Sequence, residues 1–186
     1  PIAAYSQIAF DSFYLRWLEL GKPKIILDSA CGTGESTRFF ADQHPQYLVV
    51  GLDQSAKRLL NDDNKKLADN GLLLRCDCTD FWRLAEKAQI RFEKHFLLYP
   101  HPCPKTEHFQ MRWQGHPRLP SLLVISDATE LRTNWKIYAQ EFHEALSIAG
   151  QAATLSRFEP AVPITAFERK YSLSGHELWQ VKTESS

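Results

Sequence analysis

No apolar run in this chain approaches the ~20 residues that a membrane-spanning helix needs, and nothing in it resembles a secretory signal. No charge of one sign dominates either. Lys+Arg and Asp+Glu are each 22 in 186 residues, so no global field advertises a nucleic-acid partner. RNA binding, if present, must come from a local patch. Cysteine is scarce, four in all, and a disulfide framework is not expected in a chain of this size. Cys31, Cys76, Cys78 and Cys103 read instead as reduced thiols of a cytoplasmic protein. Cys76 and Cys78 stand too close for the usual structural zinc knuckle. A metal site on Cys103 with His101 or His108 is the less favoured reading, so no metal is expected. Repeats and low-complexity segments are absent. The chain opens at Pro1 without a methionine. Hydrophobic content of 44% and charged content of 24% are ordinary for a folded domain. One domain over residues 1–186 is expected, with residues 1–22 as a helix ahead of the sheet.

The chain is organised around Ile25-Ile26-Leu27-Asp28-Ser29-Ala30-Cys31-Gly32-Thr33-Gly34-Glu35-Ser36-Thr37. An apolar run ends in a carboxylate, turns through a small-residue loop and enters a helical pattern. That is the order of a first βα unit in a nucleotide-binding α/β fold. A dinucleotide fingerprint needs a third glycine further into the helix; Thr37 stands there. Asp-x-x-x-Gly-x-Gly resembles instead motif I of the S-adenosylmethionine methyltransferases.

Along the chain, aromatics at helical spacing predict a helix over residues 4–20, its rings packing in a core. Strands are expected at residues 24–28, 47–53, 72–77 and 94–99, and helices at 35–43, 54–67 and 81–88. Such alternation predicts a mostly parallel sheet with helices on both faces, a Rossmann-like α/β fold. A short helix at 120–125, a strand at 129–132 and a helix at 135–148 follow. Strands at 151–158 and 177–183 complete the sheet, the last antiparallel, with a loop and helical turn at 163–171 between them.

Ligands in such sheets sit beyond the carboxyl ends of the strands, where Asp28, Asp53 and Asp77 fall. Each acid has a chemical use there. Asp53 can accept both hydroxyls of a ribose, Asp77 an adenine amino group, and Asp28 can face the ammonium of a methionine moiety.

From position 96 the sequence becomes more specific. Tyr99-Pro100-His101-Pro102-Cys103-Pro104-Lys105, Thr133-Asn134-Trp135 with Tyr138-Ala139, Thr165-Ala166-Phe167-Glu168 and Gly175-His176 with Trp179 occur in that order. Together with the glycine loop, they resemble the tRNA (guanine-N7)-methyltransferase family from about residue 25 to 181. The resemblance implies S-adenosylmethionine as cofactor, held by Asp28, Gly32, Gly34, Asp53 and Asp77. It implies tRNA as partner, contacted by Lys105, Asn134, Thr165 and Glu168, and a catalytic position at His101. Arg112, Arg169 and Lys170 join Lys105 as the expected basic patch. The family carries aspartates where this chain has His101 and Asn134, and a tryptophan where it has Cys103. Guanine N7 has a lone pair and no proton, so these departures do not remove the chemistry; they bear on which base is taken. The expected function is methyl transfer from S-adenosylmethionine to guanine N7 in tRNA. The alternatives are a relative acting on another RNA position or a small molecule, and a non-catalytic binding module. The sequence does not choose between monomer and homodimer.

Overall fold

Strands buried on both faces need no polar alternation, and the apolar runs of the first half become the centre of a sheet for that reason. The computed structural model describes residues 1–60 and 66–183. Strand β1 (Ile25–Ser29) and strand β2 (Leu48–Asp53) are buried at every position. They are flanked by β3 (Gly71–Arg75), β4 (Lys94–Leu98), β5 (Thr129–Thr133), β6 (Ala153–Phe158) and β7 (Leu178–Thr183). The sheet order is β3-β2-β1-β4-β5-β7-β6. All pairs up to β4–β5 are parallel; β7 runs antiparallel to β5 and β6, as expected.

Alternate side chains of one strand serve opposite faces. Ile25, Leu27, Val50 and Leu97 pack into one core; Ile26, Val49, Phe96 and Leu98 pack into the other. Helix α1 (Ala4–Glu19) lies over the first core. Its Phe10 and Phe13 rings sit 5.2 Å from Phe81. Its buried aromatics are core, as the sequence predicts. Helix α2 (Glu35–Gln43) covers the second core through Phe40 and Ala41. At the end of β1, Trp82 Nε1 donates to Ser29 Oγ at 3.1 Å, and His95 Nε2 lies 2.8 Å from the same oxygen. Burial pushes His95 down to about 3, so its ring is neutral in the core.

Two boundaries differ from expectation for physical reasons. The helix expected over 54–67 is helical at α3 (Ala56–Leu60); residues 61–65 lie outside the described residues, and Lys66 and Leu67 are not helical. Leu67 turns onto the start of β3, against Gly71. Asn70 Nδ2 donates to the carbonyls of Ala41, His44 and Tyr47, and Gly71 N closes a turn onto Ala68 O at 2.8 Å, which anchors the chain ahead of β3. The third strand ends at Arg75, and α4 (Cys78–Lys87) begins three residues earlier than expected. Asp77 Oδ1 accepts from Thr79 N at 2.8 Å and Asp80 N at 3.0 Å, a helix N-cap. The remaining helices are α5 (Leu119–Val124), α6 (Lys136–Ile148) and α7 (Ala166–Leu173), with two 3-10 turns at Thr106–Met111 and Trp113–Gly115. Among the described residues no helix is long and apolar enough to cross a membrane.

Candidate active site

The carboxyl ends of β1, β2 and β4 open into one cleft of about 630 Å³. Its first wall is the loop after β1. Gly34, at φ +77°, is the N-cap of α2, and a Cβ there would come within 2.5 Å of Leu73. Its left-handed backbone, with the Leu73 side chain close beside it, favours glycine there, and it does not line the cleft. Gly32 does. Its N–H donates to Asp53 Oδ2 at 3.0 Å, and nothing stands within 4 Å of where its Cβ would be.

Asp28 departs from its expected place. It is fully buried beneath α2, where Ser36 Oγ and Thr37 Oγ1 each donate to its Oδ2 at 2.7 Å. It is not on the cleft wall, because its strand position points it under α2. Its other oxygen has no partner among the described residues. Burial, partly offset by the two hydroxyls, pushes this carboxyl from 3.8 up to about 6. The folded chain then holds the proton more tightly than the unfolded chain. Stability from this group is present below its unfolded value and lost as pH rises through about 6. Asp28→Asn should therefore lack that loss, a difference on the order of 2–3 kcal/mol by neutral pH. Urea unfolding followed from about pH 4 to about pH 8 reads it; parallel profiles for the two proteins would contradict this account of Asp28.

Asp53 and Asp77 both face the cleft. Asp53 is 1% exposed; it accepts from Gly32 N and Ser55 N and pairs with Arg58 at 3.2 Å. Asp77 divides its carboxylate between the α4 cap and the Gln54 amide, which donates to its Oδ2.

The second wall is the proline-rich loop after β4. Tyr99 and Cys103 both sit at left-handed φ, +52° and +45°, a costly conformation for residues with a Cβ. His101 stands between them, on the cleft, with Nδ1 accepting from Cys103 N at 3.2 Å. Arg112 braces this loop from below. Its Nε and Nη2 donate to Cys103 O at 3.2 and 3.1 Å, and its Nη1 bonds Glu141 Oε2 at 2.5 Å. Arg112 is thus buried and engaged and does not belong to a basic patch. Lys105 lies on the exposed loop 3.8 Å from Glu107, away from the cleft.

The third wall comes from α7. Thr165 caps it, Oγ1 accepting from Glu168 N at 3.0 Å. Glu168 is fully buried, accepting from Arg132 Nη1 at 2.7 Å and Ile164 N at 2.8 Å. Thr-x-x-Glu is here a capping motif: Thr165 faces the cleft and Glu168 does not. Burial works against the Arg132 guanidinium, but Glu130 and Glu168 more than offset it and raise its pKa. Asn134 also lines the cleft, its Nδ2 3.3 Å from His176 Nδ1. Arg169 leaves the expected patch as well, bonded to Glu35 at 2.6 Å.

Sequence reasoning missed much of the apolar lining. Phe167, Tyr171, Trp113, Tyr138 and Met111 all face the cleft, as does Glu35. Tyr99, Phe167 and Tyr171 form a ring cluster with centroids 5.8 to 6.5 Å apart. Phe167 is 51% exposed, and its place between Thr165 and Glu168 was the available signal.

The strand order, the glycine loop and a cleft over the carboxyl edge define a Rossmann-like methyltransferase. The chain belongs to the methyltransferase family described as "Putative methyltransferase", whose model matches residues 22–181. It is 27% identical over 165 residues to a tRNA (guanine-N(7)-)-methyltransferase of Nitrosospira multiformis, covering 83% of this chain and 72% of the relative. A protein of the same name from Mycoplasma genitalium is 28% identical over 174 residues, covering 84% and 81%. Among solved structures, the 16S rRNA methyltransferase KamB superposes with a TM-score of 0.69 at 18% identity, covering 99% of this chain and 96% of its own.

Proposed function

We propose that this methyltransferase uses S-adenosylmethionine and methylates guanine N7 in tRNA. The observation that carries the reading is that one cleft joins the Gly32, Asp53 and Asp77 wall to the His101, Asn134 and Thr165 wall. A nucleoside-bearing methyl donor and an acceptor base thus have adjoining places in one chamber. The residues fit the cofactor. The cleft volume falls within the range of small-molecule sites, and the space beside Gly32 is open to a ligand. Asp53 is held in one orientation by two backbone N–H groups and would accept from a ribose diol. Asp77 would accept from an adenine amino group. S-adenosylmethionine, when bound, supplies an electrophilic methyl group.

The protein's own work is then to align the acceptor nitrogen and exclude water, since N7 has no proton to remove. The ring cluster of Tyr99, Phe167 and Tyr171 offers a face on which a base can stack. With Arg112 and Arg169 engaged, Lys105 and Lys170 are what remains of the expected patch for phosphate contact, consistent with a net charge of zero. The departures at His101 and Asn134 favour a second reading, another RNA position or a small molecule. Nucleoside mass spectrometry of tRNA from cells with and without the gene separates the two: loss of 7-methylguanosine supports the first, its persistence the second.

Asp53→Ala should weaken S-adenosylmethionine binding by ~1.5–3 kcal/mol, the range for hydrogen bonds to a charged group. Calorimetric titration measures it, and an unchanged affinity would remove the ribose assignment.

A further inference from the structure

We infer that Glu35, rather than Asp28, is the carboxylate that receives the ammonium group at the amino-acid end of the cofactor. This rests on the reading of the cleft as an S-adenosylmethionine site.

An ammonium taken out of water needs an opposite charge and a hydrogen-bond partner. Among the described residues three carboxylates line the cleft: Glu35, Asp53 and Asp77. Two of them are engaged with their own surroundings. Asp53 accepts from the Gly32 and Ser55 amides and pairs with Arg58. Asp77 caps α4 and accepts from Gln54. Asp28 has an oxygen without a partner, but it is fully buried under α2 and lines no part of the cleft. Its place in the glycine-loop sequence therefore does not give it the role of counter-ion.

The order of the sheet brings Glu35 to the right place. With Asp77 and Asp53 as the adenine and ribose acceptors, the nucleoside lies over the ends of β3 and β2. The next strand in the sheet is β1, so the loop after β1 is the wall that the amino-acid end meets. That loop is compact. Gly32 N bonds Asp53 Oδ2, and Gly34 N closes onto Cys31 O at 3.0 Å. The start of α2, where Glu35 stands, is thus one tight turn from the ribose acceptor.

The Glu35 carboxylate is also held in one direction. Arg169 grips it with two prongs, Nη1 to Oε1 at 2.6 Å and Nη2 to Oε2 at 2.9 Å, a geometrically specific pairing. Arg169 does not line the cleft, whereas Glu35 does. Each carboxylate oxygen keeps a second lone pair, so a further donor can be accepted without breaking the fork.

Calorimetric titration with two ligands tests this. S-Adenosylhomocysteine is neutral at sulfur, so its ammonium is its one cation. Its desamino analogue keeps the carboxylate and lacks that group. Wild type should bind S-adenosylhomocysteine roughly 10–100-fold more tightly than the analogue. Glu35→Gln, which keeps the length of the side chain, should erase most of that preference. It should leave affinity for the analogue within about twofold of wild type, as for groups that do not interact. Asp28→Asn should keep the preference. A wild type without the preference, its survival in Glu35→Gln or its loss in Asp28→Asn would overturn the proposal. So would an equal weakening of both ligands by Glu35→Gln, since the lost contact would then not be with the ammonium. A wild type that binds neither ligand would instead overturn the cofactor reading, and the role of Glu35 with it.

Discussion

Glu168→Ala is expected to lower folding stability by about 3–5 kcal/mol, the cost of breaking a buried ion pair by removing one partner. Glu168 has no exposure, and its two oxygens hold the Arg132 guanidinium and the Ile164 amide. Truncation leaves Arg132, stacked 4.3 Å over Phe158, with Glu130 as its remaining carboxylate. Because Glu130 stays, the lower end of the range is expected, and the melting temperature should drop by roughly 10 °C. The loss also frees Ile164 N and loosens the start of α7, so Thr165 and Phe167 lose their fixed place on the cleft. Glu168→Gln, which keeps an acceptor for Ile164 N, should retain part of that loss. Thermal unfolding of the two variants decides the point. If Ala melts with wild type, the α7 wall does not depend on this pair.

Arg112→Ala should cost about 3 kcal/mol and lower methyl-transfer kcat/KM by roughly 100-fold, the scale of an ångström-level misplacement. The side chain touches no part of the cleft. It acts through Cys103 O and Glu141, whose grip holds the left-handed turn carrying His101. Arg112→Lys is the informative companion, since one ammonium cannot reproduce the two-pronged bond; it should fall between Ala and wild type in both readouts. A large stability loss with unchanged turnover would mean that the turn's geometry does not matter to the reaction.

These two residues also mark where the sequence was legible and where it was not. Apolar runs fix the central strands, and α2 begins and ends at residues 35 and 43 as periodicity and His44-Pro45 predict. Alternation of strands and helices gives the parallel sheet, not the spatial order of its strands. Nor does it give side-chain direction. Asp28, Asp53 and Asp77 look equivalent as acids near strand ends, yet one lies beneath α2, one holds the glycine loop and one caps α4. Successive side chains of a strand point to opposite faces, and no pattern in the chain shows that Ser36 and Thr37 sit directly over Asp28. The same ambiguity covers Thr165 to Glu168. Thr-x-x-Glu is both a motif of the resembling family and a helix-start signal, and the structure uses its glutamate for the second. Arg112 was expected at the surface because arginines mostly are; its burial comes from Glu141 and Cys103 O, partners distant in sequence or conformation that the chain does not announce.

The interior place of β7 carries a consequence for how the chain assembles. Among the described residues β6 is bonded to β7 alone, and β7 lies between β6 and β5. β6 therefore cannot join the sheet until Leu178–Thr183 has docked, although it precedes that segment on the ribosome. Until then β5 presents an open edge, the kind of unpaired ladder that recruits other strands. A nascent chain halted within this interval would carry a formed parallel half and an uncapped rim. The hazard in this protein's biogenesis thus falls late, at the closing of the sheet.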